Sequence, residues 1–240
     1  MSDPHLGSKY EQLSALKDFY HQASDRGVHR FLNAGDMMQG IYKNRQMSQA
    51  IHAHGADAQT EYAALVYPRG EDDQETDAIS GNHDFTFYRD SGVNVVRALS
   101  AKRSDIVYRG MDAAYLTIDG IRLYIAHPDG GGAYAKSYKP QKFTEAIPRG
   151  KGVQIVGIGH YHTWGTFEWQ SVIALMLPCF QGQYPWLIRK GLYPTIGGVI
   201  LEVWHDGANI NRVRHELIHY PERENDWDHE ASRAVERIEA

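Results

Sequence analysis

The sequence predicts an α/β protein with mixed β-sheets and helices over their outer faces. Two patterns carry that expectation. Short apolar runs alternate with helical patterns through the first half of the 240 residues, and paired strands with tight turns dominate the second. Several of the apolar runs also stop abruptly at glycine-containing or polar turns, as strands do at the ligand-binding edge of an open α/β sheet.

Taken in order, Lys9 to Arg26 has Leu13, Leu16, Phe19 and Tyr20 near helical spacing, with Gly27 as a stop. "HRFLNAGD" is a short strand ending in a turn, and residues 56–68 form a helix closed by Pro68. The acid-rich "GEDDQE" is a solvated loop. A strand near Asp77 to Ser80 leads into Gly81-Asn82-His83-Asp84, and "GVNVVRALSAKR" is helical beyond it. "DAAYLTIDGIRLYIAH" is a hairpin turning at Asp119-Gly120. Residues 137–147 form a short helix. "GVQIVGIGHYHTWG", "FEWQSVIALML" and "GGVILEVWHDGANINRVRHEL" supply further strands. No repeat or linker divides the chain, so one domain is expected over residues 1–221. A polar, helical tail follows at 222–240.

Composition narrows the function classes. Apolar residues make up 42% and charged residues 23%, as in an ordinary globular protein. The longest apolar stretch, "SVIALMLPCF", is too short to span a bilayer and contains Pro178, so no membrane role is expected. The single cysteine, Cys179, excludes an internal disulfide framework and a thiolate metal cage. With no basic-then-apolar leader at the start, it points to a cytoplasmic location. The net charge of −5 comes mostly from the tail, where seven acids face three arginines, and so argues only weakly against a nucleic-acid substrate.

Histidine is the residue that stands out, at 13 positions. Four apolar runs deliver chelating groups at their ends: Asp36 after "FLNAG", Asn82, His83 and Asp84 after "DAISG", His127 after "IRLYIA", and His160 and His162 after "QIVGIG". Asp3 and His5 stand at the start without a preceding run. In Asp3-Pro4-His5 and His160-Tyr161-His162 the outer residues are two apart, and in extended backbone such residues point the same way. The donors are carboxylate, imidazole and amide, with no sulfur. Such a set suits Mn, Fe, Zn, Co or Ni better than Cu(I), and is too rich in nitrogen for a typical Ca site. Asp3, His5, Asp36, Asn82, His127, His160 and His162 are more ligands than one tetrahedral ion needs, and enough for two ions sharing a carboxylate.

In their order along the chain, D-P-H, A-G-D, G-N-H-D, a lone histidine after a strand and G-H-Y-H resemble the calcineurin-like metallophosphoesterase superfamily. The resemblance spans residues 3–162 and implies a four-layer α/β/β/α sandwich, two mixed β-sheets flanked by helices. It implies two divalent ions, manganese first, with zinc, iron, nickel or cobalt as alternatives. Asp3, His5 and His162 would hold one ion, Asn82, His127 and His160 the other, and Asp36 would bridge them. His83 would face the substrate phosphate, and Asp84 would hydrogen-bond His83. The implied activity is hydrolysis of a phosphodiester, with DNA the leading substrate, through in-line attack by a metal-bridging hydroxide. A phosphomonoesterase acting on a phosphoprotein or nucleotide is the alternative, and a non-catalytic subunit of the same fold is a third reading. One feature departs from the pattern: only Met1 and Ser2 precede Asp3, so a frayed start is expected there.

Two further stretches could touch substrate. Lys136, Lys139 and Lys142, beside Gly130 to Gly132, could contact phosphates, and solvated lysines are the other reading. Tyr184, Trp186, Arg189 and Lys190 form an aromatic–basic mixture that could stack bases, although Trp186 could equally belong to the core. His52 and His54 repeat the two-residue spacing, but solvent exposure is expected of both.

Overall fold

The computed structural model describes residues 1–42, 48–71 and 74–228. Its elements, in order, are α1 (Leu13–Asp25), β1 (Arg30–Asn33), α2 (Ala56–Val66), β2 (Glu75–Ser80), α3 (Asp84–Ser91), α4 (Val95–Lys102), β3 (Ile106–Met111), β4 (Ala113–Ile118), β5 (Ile121–Ala126) and α5 (Tyr138–Glu145). After a 3₁₀ turn at Arg149–Lys151 come β6 (Ile155–Ile158), β7 (Gly165–Trp169), β8 (Val172–Met176), α6 (Pro185–Lys190), β9 (Gly197–His205) and β10 (Ile210–His219).

Burial sorts these elements into four layers. β4-β5-β6-β8-β7 form one mixed sheet, in which β5, β6 and β8 run parallel and β4 and β7 are antiparallel edges. The facing layer is also mixed in direction, but it is hydrogen-bonded as two pieces: the parallel β1-β2-β3 and the antiparallel β9–β10 hairpin. Ile79 and Ala34 from this layer meet Leu116, Leu123, Ile125 and Leu175 from the five-stranded sheet in a buried core. Outside the layer of β1-β2-β3 and β9–β10, α1, α2 and α4 bury a second cluster that includes Tyr20 stacked on Phe31 at 4.0 Å. Outside the five-stranded sheet, Phe143 of α5 packs on Val156 and Ala174. The α/β/β/α order follows from these three clusters.

Local signals explain most elements. The apolar stripe Leu13, Leu16, Phe19, Tyr20 and Ala23 is buried along α1. The helix starts at Leu13 rather than Lys9: Gln12 is non-helical at φ −111°, ψ 65°, with its N–H bonded to Phe180 O. The β4–β5 hairpin turns at Asp119-Gly120, both left-handed at φ 50° and 87°, as a two-residue turn requires. Two elements lay outside the sequence expectation. α3 follows the Asn82-His83 turn at once, and β3 carries Arg109, which pairs with buried Asp77 on β2. "FEWQSVIALML" folds as the β7–β8 hairpin.

Residues 222–228 of the tail are docked. Asp226 accepts from the Ser14 N–H at 2.7 Å, capping α1 from a distance, and Arg223 N–H donates to Gln12 at 2.7 Å. The rest of the expected terminal helix, residues 229–240, lies outside the described residues, as do residues 72–73 of the acid loop.

The expected fraying at the start is not observed. The Met1 amine donates to Leu32 O at 3.1 Å, Ala34 N–H to Met1 O at 3.1 Å, and Asp3 N–H to Gly35 O at 3.0 Å. Residues 1–6 therefore lie along residues 32–38 as a buried ladder. Met1 also lines a largely apolar cavity of about 490 Å³ together with Phe19, Phe31, Leu123, Ile125, Leu175 and Val199, with Arg26, Glu202 and His205 among its polar lining. In protein produced with Met1 as its first residue, burial lowers the amine from its ordinary value of 8.0 to about 5, with Asp3 opposing the shift. The folded state thus rejects the proton that the unfolded chain holds. The resulting penalty is absent above pH 8, grows as pH falls, and is complete below pH 5. An alternating Val/Ile extension of about five residues ahead of Met1 should replace the amine with an amide and fill the cavity. Thermal melts should show a Tm gain of roughly 5–10 °C, larger at pH 6 than at pH 8. An equal or lower Tm would contradict this account of the cavity.

Candidate metal centre

All the candidate ligands sit beyond the carboxyl ends of parallel strands or on the ladder beside them. Asp36 follows β1, Asn82 and His83 follow β2, His127 follows β5, and His160 and His162 follow β6. Asp3 and His5 reach the same edge on the residue 1–6 ladder. The sequence-distant groups meet in overlapping clusters: Asp3, His5 and His162; His5, Asp36 and His83; and Asp36, His127 and His160. The amide oxygen of Asn82 joins the last, 2.8 Å from His160 Nδ1 and 3.2 Å from His127 Nε2.

The two carboxylates are held alike. Asp36 Oδ1 accepts from His83 N–H at 2.7 Å, which leaves Oδ2 facing His127 Nε2 at 3.1 Å, His5 Nε2 at 3.9 Å and His83 Nε2 at 4.0 Å. Asp3 Oδ2 accepts from His160 N–H at 3.0 Å, and its Oδ1 faces His162 at 3.1 Å and His5 at 3.6 Å. In each case one oxygen is pinned by backbone and the other is turned into the centre. Asp36 Oδ2 faces both groups of imidazoles, the position a shared ligand needs.

The expected extended backbone is not what aligns these residues. Asp3, His5, Asp36, His160 and His162 have positive φ of 54°, 48°, 52°, 77° and 50°. Left-handed backbone is unfavourable for residues with a Cβ, and it concentrates where a site over-determines it. As a result His160 and His162 do not point into one cluster: His160 joins Asp36 and His127, and His162 joins Asp3 and His5. Glycines supply the close approach. A Cβ on Gly81 would lie 2.2 Å from Asp36 Oδ1, one on Gly35 2.6 Å from His127 Nδ1, and one on Gly159 2.2 Å from Ser2 Oγ.

Asp84 requires a correction. Its carboxylate does not touch His83. It accepts from the N–H groups of Gly81, Met38 and Met37 at 2.9, 2.9 and 3.2 Å, stitching the Asn82 loop to the Asp36 loop. His83 finds its own partners elsewhere: Nδ1 lies 2.8 Å from the Gln39 carbonyl, and Nε2 lies 2.8 Å from the Tyr42 hydroxyl. Tyr42 escaped the sequence reading because a lone tyrosine in "GDMMQGIYKNR" has no spacing signal.

Electrostatics test whether cations suit this centre. Burial and the adjacent His83 push His5 down to about 4. Burial also opposes charge on His127, but Asp36 and Asp3 outweigh it and hold His127 up to about 10. His162, half-buried, is raised well above its ordinary value by Cys179 and Asp3. His5 Nε2 and His162 Nε2 face each other at 3.1 Å. Two like ring nitrogens in a buried site need a proton or a cation between them. The donor set fits divalent ions. His127 is oriented for one, since its Nδ1 is engaged by Ala34 O at 2.7 Å and its Nε2 is left to the centre.

The outlying candidates are scattered. Lys139 reaches the rim, its Nζ 3.4 Å from where a Cβ on Gly130 would stand, and Gly130 O lies 2.8 Å from His160 Nε2. Lys136 is exposed, and Arg189 Nε donates to Pro185 O of its own helix at 3.2 Å. Tyr184 is buried and stacks at 6.1 Å on Trp186, which is 42% exposed and therefore not core. Burial and then Asp36 push the Tyr184 hydroxyl up to about 12. His54 is exposed as expected. His52 is not, because it pairs with buried Glu11 at 3.4 Å and stacks on Trp227 at 4.6 Å.

Comparison with known proteins follows this geometry. No family model matches the chain, and no curated protein matches it. Among solved structures, the chain is similar to an archaeal phosphodiesterase at 13% identity and TM-score 0.48, covering 91% of this chain and 97% of that one. It is similar to zinc-complexed Vps29 from Entamoeba histolytica at 12% and 0.45, over 91% and 96%. It is also similar to a predicted phosphoesterase from Streptococcus pneumoniae at 10% and 0.43, over 91% and 95%. At such identities the likeness concerns the course of the chain and says nothing of substrate. The resemblance to calcineurin-like metallophosphoesterases rests on the ordered motifs and on their convergence at one sheet edge.

Two measurements test the centre without any substrate. Because His127 and His162 hold protons that an ion must displace, loading with Mn(II) or Zn(II) at pH 7 should release protons. Titration calorimetry in buffers of different ionisation enthalpy should therefore give different apparent heats. Equal heats would contradict the proposed charge balance. Gly81→Ala should push Asp36 Oδ1 aside and weaken metal binding roughly 10- to 100-fold, while circular dichroism stays native. Unchanged affinity would mean that Asp36 is not a ligand.

Proposed function

We propose that the chain is a dinuclear metal-dependent phosphoesterase that hydrolyses phosphodiesters, with DNA as the leading substrate class. The observation that carries this reading is the free oxygen of Asp36, turned to two sets of donors at once, with His83 Nε2 beside it. Asp3, His5 and His162 would hold one ion, Asn82, His127 and His160 the other, and Asp36 both. When bound, such a pair supplies Lewis acidity at phosphoryl oxygens and makes water a nucleophile near neutral pH. His83 would present Nε2 to the phosphoryl group and, when protonated, donate to the departing oxygen. Asp84 would act at one remove, by holding the two loops that carry Asp36 and His83. The exposed Trp186, stacked on Tyr184 with Lys190 6.0 Å from its ring centre, and Lys139 at the rim favour a substrate with bases and a phosphate backbone. Among the described residues no helix is long and apolar enough to cross a membrane.

The test is an activity panel crossing Mn(II), Zn(II), Mg(II) and Ni(II) with phosphomonoester and phosphodiester reporters and with single- and double-stranded DNA. Diester and DNA cleavage is expected to exceed monoester cleavage. The reverse order would replace the diesterase with a phosphomonoesterase, and inactivity throughout would end the catalytic reading. Asp36→Asn should abolish turnover and metal retention together. His83→Ala should keep the metal and lose roughly 10²- to 10⁴-fold in rate. Equal metal loss in both variants would contradict the separate roles.

A further inference from the structure

The two hydrogen-bonding neighbours of His83 are not equivalent. Nδ1 lies 2.8 Å from the carbonyl oxygen of Gln39, which can only accept, so the ring proton sits on Nδ1. In the neutral ring Nε2 is then a bare acceptor, and the Tyr42 hydroxyl, 2.8 Å away, donates to it. Nε2 is also the nitrogen that faces Asp36 Oδ2, at 4.0 Å. The Tyr42 O–H therefore holds the one atom of His83 that is turned toward the centre.

This contact belongs to a built segment. Gly40 N–H donates to Gln59 Oε1 of α2 at 2.9 Å, and Ile41 N–H donates to Thr86 Oγ1 of α3 at 2.8 Å. Thr86 Oγ1 in turn donates to the His83 carbonyl at 2.6 Å, so the backbones of residues 41 and 83 are joined through one hydroxyl. The Tyr42 ring meets the His83 ring edge-on at 5.1 Å, and His5 meets its other side edge-on at 4.4 Å. A Cβ on Gly40 would lie 2.5 Å from His83 O, so this approach depends on a glycine at φ 82°. Beyond Tyr42 opens a recess of about 430 Å³ lined by Ile41, Thr86, Arg89 and Asp90.

We propose that Tyr42 is a positioning residue for the phosphoryl step: its hydroxyl holds the His83 ring beside Asp36 in the resting protein and gives up Nε2 to the phosphoryl group when substrate enters. The catalytic part of this assignment rests on the phosphoesterase reading, whereas the Tyr42–His83 bond does not. A merely structural tyrosine would alter stability. A positioning tyrosine alters kcat through His83 alone.

Tyr42→Phe removes the O–H and keeps the ring. The variant is expected to retain metal content and Tm, to lose roughly 3- to 10-fold in kcat as one hydrogen bond's worth of orientation, and to keep KM within about 2-fold. Placed on His83→Ala, the same change should have no further effect on kcat. In ¹⁵N-histidine-labelled protein loaded with diamagnetic Zn(II), the Nε2 resonance of His83 should move in Tyr42→Phe while Nδ1 stays protonated. An unchanged kcat, or an equal loss on the His83→Ala background, overturns the catalytic role even where Nε2 moves. An unmoved Nε2 overturns the bond itself. If the wild-type protein hydrolyses no phosphoester, the functional reading fails on its own, and the resonance still decides whether Tyr42 holds His83.

Discussion

The structure depends on how the Asp36 carboxylate is held. One oxygen is fixed by the His83 backbone N–H at the start of α3, and the other is presented to imidazoles from four chain segments. A buried carboxylate without compensation is costly, so that second oxygen is a demand the fold has to meet. It is met by bringing His5, His83, His127 and His160 to the same sheet edge. The left-handed backbone at Asp3, His5, Asp36, His160 and His162 and the close approach of Gly35, Gly81 and Gly159 are the geometric consequences.

Strain of that kind persists only if the surrounding contacts over-determine it. Here they do. The residue 1–6 ladder against residues 32–38 pins Asp3 and His5. The three backbone bonds of Asp84 lock the Asp36 loop to the Asn82 loop, and Ser2, Ala34 and Gly159 meet behind His127. The role of Asp84 is mechanical in this picture: a buried acid that accepts three amide protons and so sets the distance between Asp36 and His83. Burial and the neighbouring Asp36 carboxylate push Asp84 up to about 7, which matches a group chosen for its geometry rather than for a charge offered to His83.

Around the centre the molecule is asymmetric. Behind it lie the paired β-layers and a largely apolar cavity that Met1 lines. On the other side, Tyr184 and Trp186, Lys139 beside Gly130, and Tyr42 with its recess come from three segments, two of them opening short helices, that share no sheet. The ligands ride on strands that a common core holds in register. The groups proposed to meet substrate lie outside both sheets, where sequence can change without disturbing that core.

The candidate ligand set was legible in the sequence because metal coordination allows few residue types, and because a strand that ends at a binding edge leaves a visible mark: an apolar run, a glycine, then a donor. The same holds for α1, the Asp119-Gly120 hairpin and the helix closed by Pro68, where the signal is local. Three features were not legible, for one physical reason. Asp84 bonds to the backbone of Met37 and Met38, Tyr42 to the ring of His83, and the start of the chain to residues 32–37. Each contact joins segments distant in sequence through groups that every residue carries or that have no periodic signature. The sequence by itself determined which atoms could bind cations. Only the tertiary structure decided which oxygen of each carboxylate is free, which nitrogen of His83 faces the centre, and what holds it there, because those outcomes are set by the packing of loops against one another.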